Sequence, residues 1–271
     1  QIIALIWVVV ASIGFFGVKG GIFTIATGGG FRVWGPPSSV VNGNNELAVA
    51  LITVIPLMYC LAMNAEASKA FRPVAWIPTR VIKIGMLVAT LLCAASAIGS
   101  QSRGALLAIA AMSVVLWWRS HSKVLLASVL ILAVMVALPL MPETWFERMQ
   151  TIRTYEEDLS ALGRINAWEM AINIANDRVL GAGFSTANPV VYGMYSPRQG
   201  QEWILVAHSI YFQILGEHGY IGLGIYLLFW ISTYRTAGAL VRLGRGRADM
   251  AWTVSLGNMA KVSLVGFAVG G

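Results

Sequence analysis

The sequence predicts an all-α, polytopic integral membrane protein with one long outer loop that contains amphipathic helices. Three observations predict it. Hydrophobic residues make up 57% of the 271 and charged residues only 11%, against about 25% charged in soluble domains. The apolar residues fall in runs of the length that crosses a bilayer. The polar side chains gather in one segment, 141–208, which holds eight of the twelve acids. The net charge of +7 sits in short basic clusters between the apolar runs. That is the pattern of membrane topology, and it excludes a nucleic-acid partner.

Taken in order, the apolar runs predict spans at about 1–18, 46–63, 83–99, 104–118, 124–140 and 219–241, with a seventh starting near 251. Six to seven spans result. Both ends of the chain fall inside apolar runs, so a longer protein is expected around it. Cys60 and Cys93 lie inside spans, where a thiol is an inert packing residue. Only Ser100-Gln101-Ser102-Arg103 separates the third span from the fourth. A turn that tight implies an antiparallel hairpin. The organisation is therefore 1–140, spans with short outer loops; 141–208, the long loop; and 209–271, an interfacial helix and C-terminal spans. Together these form one membrane domain.

The connectors alternate in charge. Lys69, Arg72, Arg80 and Lys83, then Arg119 and Lys123, then Arg235, Arg242, Arg245 and Arg247 share their connectors with only Glu66 and Asp249. By the positive-inside rule this set is cytoplasmic, and 19–45, 100–103 and 141–208 face outward. His121 falls among the cytoplasmic basic residues. Within the long loop, Ile165, Trp168, Ile172 and Ala175 recur at helical spacing. They predict an amphipathic helix lying on the membrane, with Arg164 at its N-terminal end. Gly181 and Gly183 stop it. An irregular stretch, 181–200, follows. Residues 204–217 then form a short interfacial helix starting near His208, and the last span begins at Gly219.

Few residues here can carry chemistry. Arg103 is bordered by apolar helix on both sides, a costly place unless it is paired or functional. Read structurally, it fixes the hairpin or reaches the headgroups. Read chemically, its guanidinium fork grips phosphate oxygens two at a time. Arg164 reads as a solvated helix-end arginine or a second such group. Arg32 follows Gly28-Gly29-Gly30, which is a flexible loop or a place where backbone approaches a ligand. His208 ends the loop, where an imidazole reaches both membrane and water. Histidine is the usual general base near neutral pH. Glu217 and His218, at the mouth of a span, read as a proton relay or as helix packing. Glu156, Glu157 and Asp158 read as solvated acids or a divalent-cation site. No zinc or P-loop signature is present, so no metal and no cofactor are expected. An outward-facing site has no ATP, so synthesis there needs a substrate already activated.

Three segments form a set. They are Ser102-Arg103-Gly104-Ala105-Leu106-Leu107; Gly163-Arg164-Ile165-Asn166-Ala167-Trp168 through Leu180-Gly181-Ala182-Gly183-Phe184; and Ala207-His208-Ser209-Ile210-Tyr211-Phe212 through Glu217-His218-Gly219-Tyr220-Ile221-Gly222. Together they resemble the O-antigen ligase/polymerase superfamily of bacterial inner-membrane proteins. Phe15-Phe16-Gly17-Val18-Lys19-Gly20-Gly21, Trp34-Gly35-Pro36 and Asn44-Asn45 resemble one branch of it, the O-glycosylation ligases associated with exosortase A systems. Ser209 stands where the family usually has Asn, and family members carry further spans before the position of Gln1.

The resemblance implies a metal-independent, inverting membrane glycosyltransferase in the bacterial inner membrane, with its active site on the periplasmic face. The donor would be a glycan on undecaprenyl pyrophosphate. The acceptor would be a hydroxyl of lipid A core, of a protein Ser/Thr, or of a glycan. Membrane lipids are the remaining partners. Arg103 and Arg164, with Arg32, would neutralise the departing pyrophosphate. His208 would take the acceptor proton, and Glu217 and His218 would support the site. A polymerase of the same superfamily is the alternative. A transporter using Arg103, Glu217 and His218 as an ion path is the second.

Overall fold

The structure is a computed structural model that describes residues 1–120, 122–143, 145–146, 159–198, 204 and 206–271. His121 and the acidic run 156–158 lie outside the described residues. Among the described residues every regular element is helical. Lipid offers a backbone amide no hydrogen-bond partner, so a spanning chain must satisfy its amides within a helix. The helices are α1 (Ile2–Ala26), α2 (Asn44–Met63), α3 (Ala65–Ser68), α4 (Thr79–Gly99), α5 (Arg103–Arg119) and α6 (Lys123–Ala137). After them come α7 (Leu159–Asp177), α8 (Pro189–Tyr195), α9 (Ile210–Gly244) and α10 (Ala251–Gly270).

Five helical stretches are long and apolar enough to cross a bilayer: Ile2–Ala26, Asn44–Met63, Thr79–Gly99, Ile210–Gly244 and Ala248–Gly270. The chain is thus an all-helical, multi-pass membrane protein. The two other predicted spans are shorter helices. α5 has 17 residues and an arginine at each end, and α6 has 15. A 3-10 turn, Leu138–Leu140, continues α6. At about 1.5 Å per residue α5 is about 25 Å long, short of a hydrocarbon core of about 30 Å.

The chain packs as two compact units. One is residues 1–147 with 234–270; the other is 148–233 with Gly271. In the first, α1, α2, α4, α5 and α10 enclose Leu47, Leu51, Ile52, Met58, Cys93 and Val262, all fully buried. Cys60 and Cys93 are buried free thiols, as their apolar surroundings predicted. Apolar burial drives helix association weakly in lipid, so close backbone approach matters more. Glycines on α1 provide it. A Cβ at Gly17 would lie 2.4 Å from Cys93 Sγ, and one at Gly21 would lie 2.1 Å from the Leu92 carbonyl oxygen of α4.

In the second unit, α7 buries Gly163, Asn166, Ala167, Met170, Ala171, Ile174 and Ala175. This packed face differs from the stripe predicted to lie on the membrane and shares only Ala175 with it. Ile165 and Trp168 are half-buried and Ile172 is exposed. The packed stripe is turned by roughly one residue, about 100°. It became possible because Asn166 finds hydrogen-bond partners inside. Arg164 lies in the second turn of α7 rather than at its start, since the helix begins at Leu159.

α9 begins at Ile210 and breaks at Gly219, where φ is 64° and ψ is −165°. Two helical segments meet there, at the glycine where the sequence places the start of the last span. Only glycine fits. The left-handed φ disfavours a side chain, and a Cβ would stand 1.9 Å from the Val179 carbonyl oxygen.

The close approach of α1 to α4 predicts that Gly21→Leu destabilises the bundle by about 1–3 kcal/mol or more. Unfolding in mixed micelles measures this. An unchanged unfolding free energy contradicts the packing described.

Candidate functional site

The turn between α4 and α5 is built from buried polar residues. Ser100, Gln101 and Ser102 are 0%, 5% and 3% exposed. Each is held. Asn44 Nδ2 donates to the Ser100 carbonyl at 2.9 Å. Gln101 takes φ of 54° and donates Nε2 to the Gly29 carbonyl at 3.2 Å. Ser102 caps α5 by accepting from the Ala105 amide at 3.3 Å. The Val33 amide donates to the Gly99 carbonyl at 3.1 Å. The glycine-rich loop is thereby tied to the turn. Arg103 follows as the first residue of α5, half-buried. Arg32 Nε reaches Gln101 Oε1 at 3.4 Å. Arg32 thus meets the glutamine that stands two residues before Arg103. A helix N-terminus that carries an arginine favours a bound anion.

In the second unit, Asn166 organises the packing of α7. Its Nδ2 donates to Tyr192 Oη at 3.0 Å, and its Oδ1 accepts from Ser196 Oγ at 3.1 Å. Asn173 Nδ2 donates to the Tyr195 carbonyl at 3.0 Å. The Tyr195 phenol donates to the Asp177 carboxylate. That bond favours the protonated phenol and pushes its pKa above the usual tyrosine value. Arg164 stands half-buried two residues before Asn166.

His208 is exposed and adopts a left-handed φ of 44°. Such a conformation costs a non-glycine residue about 1–3 kcal/mol and persists where neighbours impose it. Trp168 is the neighbour. Its Nε1 donates to the Ala207 carbonyl at 2.8 Å, and its ring stacks on Phe212 with centroids 4.9 Å apart. One indole thus grips the chain on both sides of His208. The imidazole stands just ahead of α9.

Glu217 and His218 sit at the helix break. Breaking α9 leaves carbonyls without intrahelical donors. The loop after α7 supplies them: Ala182 N donates to the Gly216 carbonyl and Gly183 N to the Glu217 carbonyl, both at 3.0 Å. Glu217 Oε1 accepts from Ser185 N at 3.2 Å and from Gln213 Nε2 at 3.4 Å. His218 Nε2 lies 4.0 Å from Glu217 Oε2, and its ring meets Phe184 edge-on. Glu217 holds a loop to a helix end, which is the packing side of its two sequence readings.

Sequence reasoning missed Asn166, Tyr192, Ser196 and Trp168 as organising residues. The signal was the spacing of Gly163, Ala167, Met170, Ala171 and Ile174, which marks a face that includes Asn166. Among the described residues, no three His, Cys, Asp or Glu side chains group around a point that could hold a cation.

The grip of Trp168 yields a prediction. In Trp168→Phe the stack survives and one hydrogen bond of about 1 kcal/mol is lost. Amide exchange across 207–211 should then quicken by about five-fold, and by more in Trp168→Ala. Unchanged exchange in both variants contradicts the seating of His208 by this indole.

No curated protein and no solved structure matches the chain. The profile of the O-antigen ligase family matches residues 88–227, just over half of the 271. The matched region contains Arg103, Arg164, Trp168, His208, Glu217 and His218. With its all-helical, multi-pass fold, the chain belongs to the O-antigen ligase family of membrane enzymes.

Proposed function

We propose that this protein is a ligase that transfers a glycan from undecaprenyl pyrophosphate to an acceptor hydroxyl on the periplasmic face of the bacterial inner membrane. The observation that carries the reading is the family match over 88–227, which spans Arg103, Arg164 and His208. Within the family we place the chain with the O-glycosylation ligases associated with exosortase A systems. Asn44, one of the residues behind that resemblance, fastens the Ser100 carbonyl.

The chemistry is a single displacement. The acceptor oxygen attacks the anomeric carbon, and the bond from that carbon to the pyrophosphate oxygen breaks with its electrons leaving on the phosphate. His208 takes the acceptor proton. An exposed imidazole, seated in an imposed conformation, suits that work. Arg103 and Arg164 neutralise the charge that develops on the leaving group, and Arg32 adds to Arg103. Fixed charges aimed at a developing anion usually lower the barrier of a transfer reaction more than any other single effect. No metal is assigned a role. Lipid A core or a protein Ser/Thr serves as acceptor, and Glu217 and His218 support the site through the loop they hold.

Reconstituted full-length protein, given lipid pyrophosphate-linked glycan and acceptor in EDTA, tests the roles. His208→Ala should lower turnover by about 100- to 10,000-fold. Arg103→Ala should abolish donor use, and Arg103→Lys should restore only part of it, because the fork is lost. Full turnover in His208→Ala, or unchanged donor kinetics in Arg103→Ala, refutes the assignment. Elongation of the donor glycan without transfer to lipid or protein identifies a polymerase instead.

A further inference from the structure

Helix α5 ends where cations collect. Arg119, its last residue, donates Nη2 to Asn258 Oδ1 of α10 at 2.9 Å. Lys261 lies about one turn further along, midway through that 20-residue helix. Its ammonium stands 5.1 Å from the centre of the Tyr234 ring of α9. A Cβ placed on Gly238 would lie 3.1 Å from Lys261 Nζ and 3.9 Å from Arg242 Nη1. Lys261 and Arg242 therefore face each other across a missing side chain. The charges that act on Lys261 are Arg119 and Arg242, both positive. Among the described residues, no carboxylate pairs with any of the three; the ion pairs are those of Lys69, Arg178, His218 and Arg247.

Three like charges gathered in one niche repel one another, and a lysine within a spanning helix is expensive unless something neutralises it. The described residues supply no acid there, and an outside anion meets the need. The level of the niche indicates which kind. Trp117 and Trp118 precede Arg119; Trp118 is 74% exposed, and Lys123 Nζ stands 5.7 Å from the centre of the Trp117 ring. Indoles and cations together at a helix end mark the headgroup layer. The shortness of α5 contributes. Its first turn is fixed against the far end of α10, where a Cβ on Gly104 would lie 3.5 Å from the Gly270 carbonyl. Seventeen residues then carry it only as far as Asn258. The first seven residues of α10 run beyond that point, and Gly238 of α9 leaves the space into which Lys261 and Arg242 extend. Arg119 and Arg242 are both exposed.

We propose that Arg119, Arg242 and Lys261 form a binding site for the phosphate of an anionic phospholipid headgroup, in the leaflet at the basic face of the protein. The two guanidinium forks and the compact ammonium offer complementary donors to phosphate oxygens. The lipid then relieves the repulsion and fastens α5, α9 and α10 at one end.

Full-length protein in phosphatidylcholine nanodiscs, titrated with phosphatidylglycerol, provides the test, with melting temperature as the readout. Phosphatidylglycerol should raise the melting temperature of the wild type. Lys261→Gln, Arg119→Gln and Arg242→Gln should each weaken the apparent affinity by about five-fold, while melting in pure phosphatidylcholine is unchanged or raised. Arg247→Gln, whose arginine is paired with Asp249 at 3.1 Å, should respond like wild type. Inorganic phosphate at matched concentration should do nothing. An identical lipid response in all variants, an equal loss in Arg247→Gln, or a full shift from inorganic phosphate overturns the site. Arg242 is exposed, so Arg242→Gln keeps the test decisive if Lys261→Gln does not fold.

Discussion

Two backbone hydrogen bonds organise the polar half of this molecule: Ala182 N and Gly183 N, donating to the carbonyls that open at the Gly219 break. A helix can be interrupted near a membrane only if its freed polar groups find partners in protein. The loop after α7 is that partner. Its closeness explains why glycines stand at both contact points. A Cβ at Gly181 would lie 2.5 Å from the Glu217 carbonyl carbon, and one at Gly219 would meet Val179. Glu217 completes the junction through Ser185 and Gln213. With the break sealed, the segment that starts at Ile210 has a fixed end, and His208 stands just before it.

The hairpin of α4 and α5 obeys the same constraint. Ser100, Gln101 and Ser102 are buried in an otherwise apolar bundle, and each is tied to backbone through Asn44, Gly29 or Ala105. The residues assigned to chemistry stand beside these satisfied patches. Arg103 follows Ser102. Arg164 precedes Asn166. His208 follows Ala207, whose carbonyl Trp168 holds. Short polar side chains secure the backbone, and long or ionisable ones extend from it. Such support is what keeps a reactive group in a productive geometry.

Much of this was legible in the sequence. Five of the seven predicted spans follow from apolar run length, and the junction at Gly219 follows from a glycine placed between two helical patterns. What escaped depended on partners distant in the chain. Asn166 was given no role in the sequence because Tyr192 and Ser196, its buried partners, lie 26 and 30 residues away. Arg32 looked like one more loop arginine because its link to the turn runs through Gln101, 69 residues on. The seating of His208 depends on an indole 39 residues before Ala207. The short reach of α5 shows only when its far end is set against Asn258. The acidic run 156–158 lies outside the described residues.

A family fold of this kind leaves the direction of attack as the sharpest chemical question. A single base with no covalent intermediate turns the anomeric centre over once. The most direct test uses reconstituted protein, a lipid pyrophosphate-linked sugar of known anomeric configuration and a defined hydroxyl acceptor. The configuration of the product linkage is read by NMR. The account predicts inversion, and a product that retains the donor's configuration contradicts it.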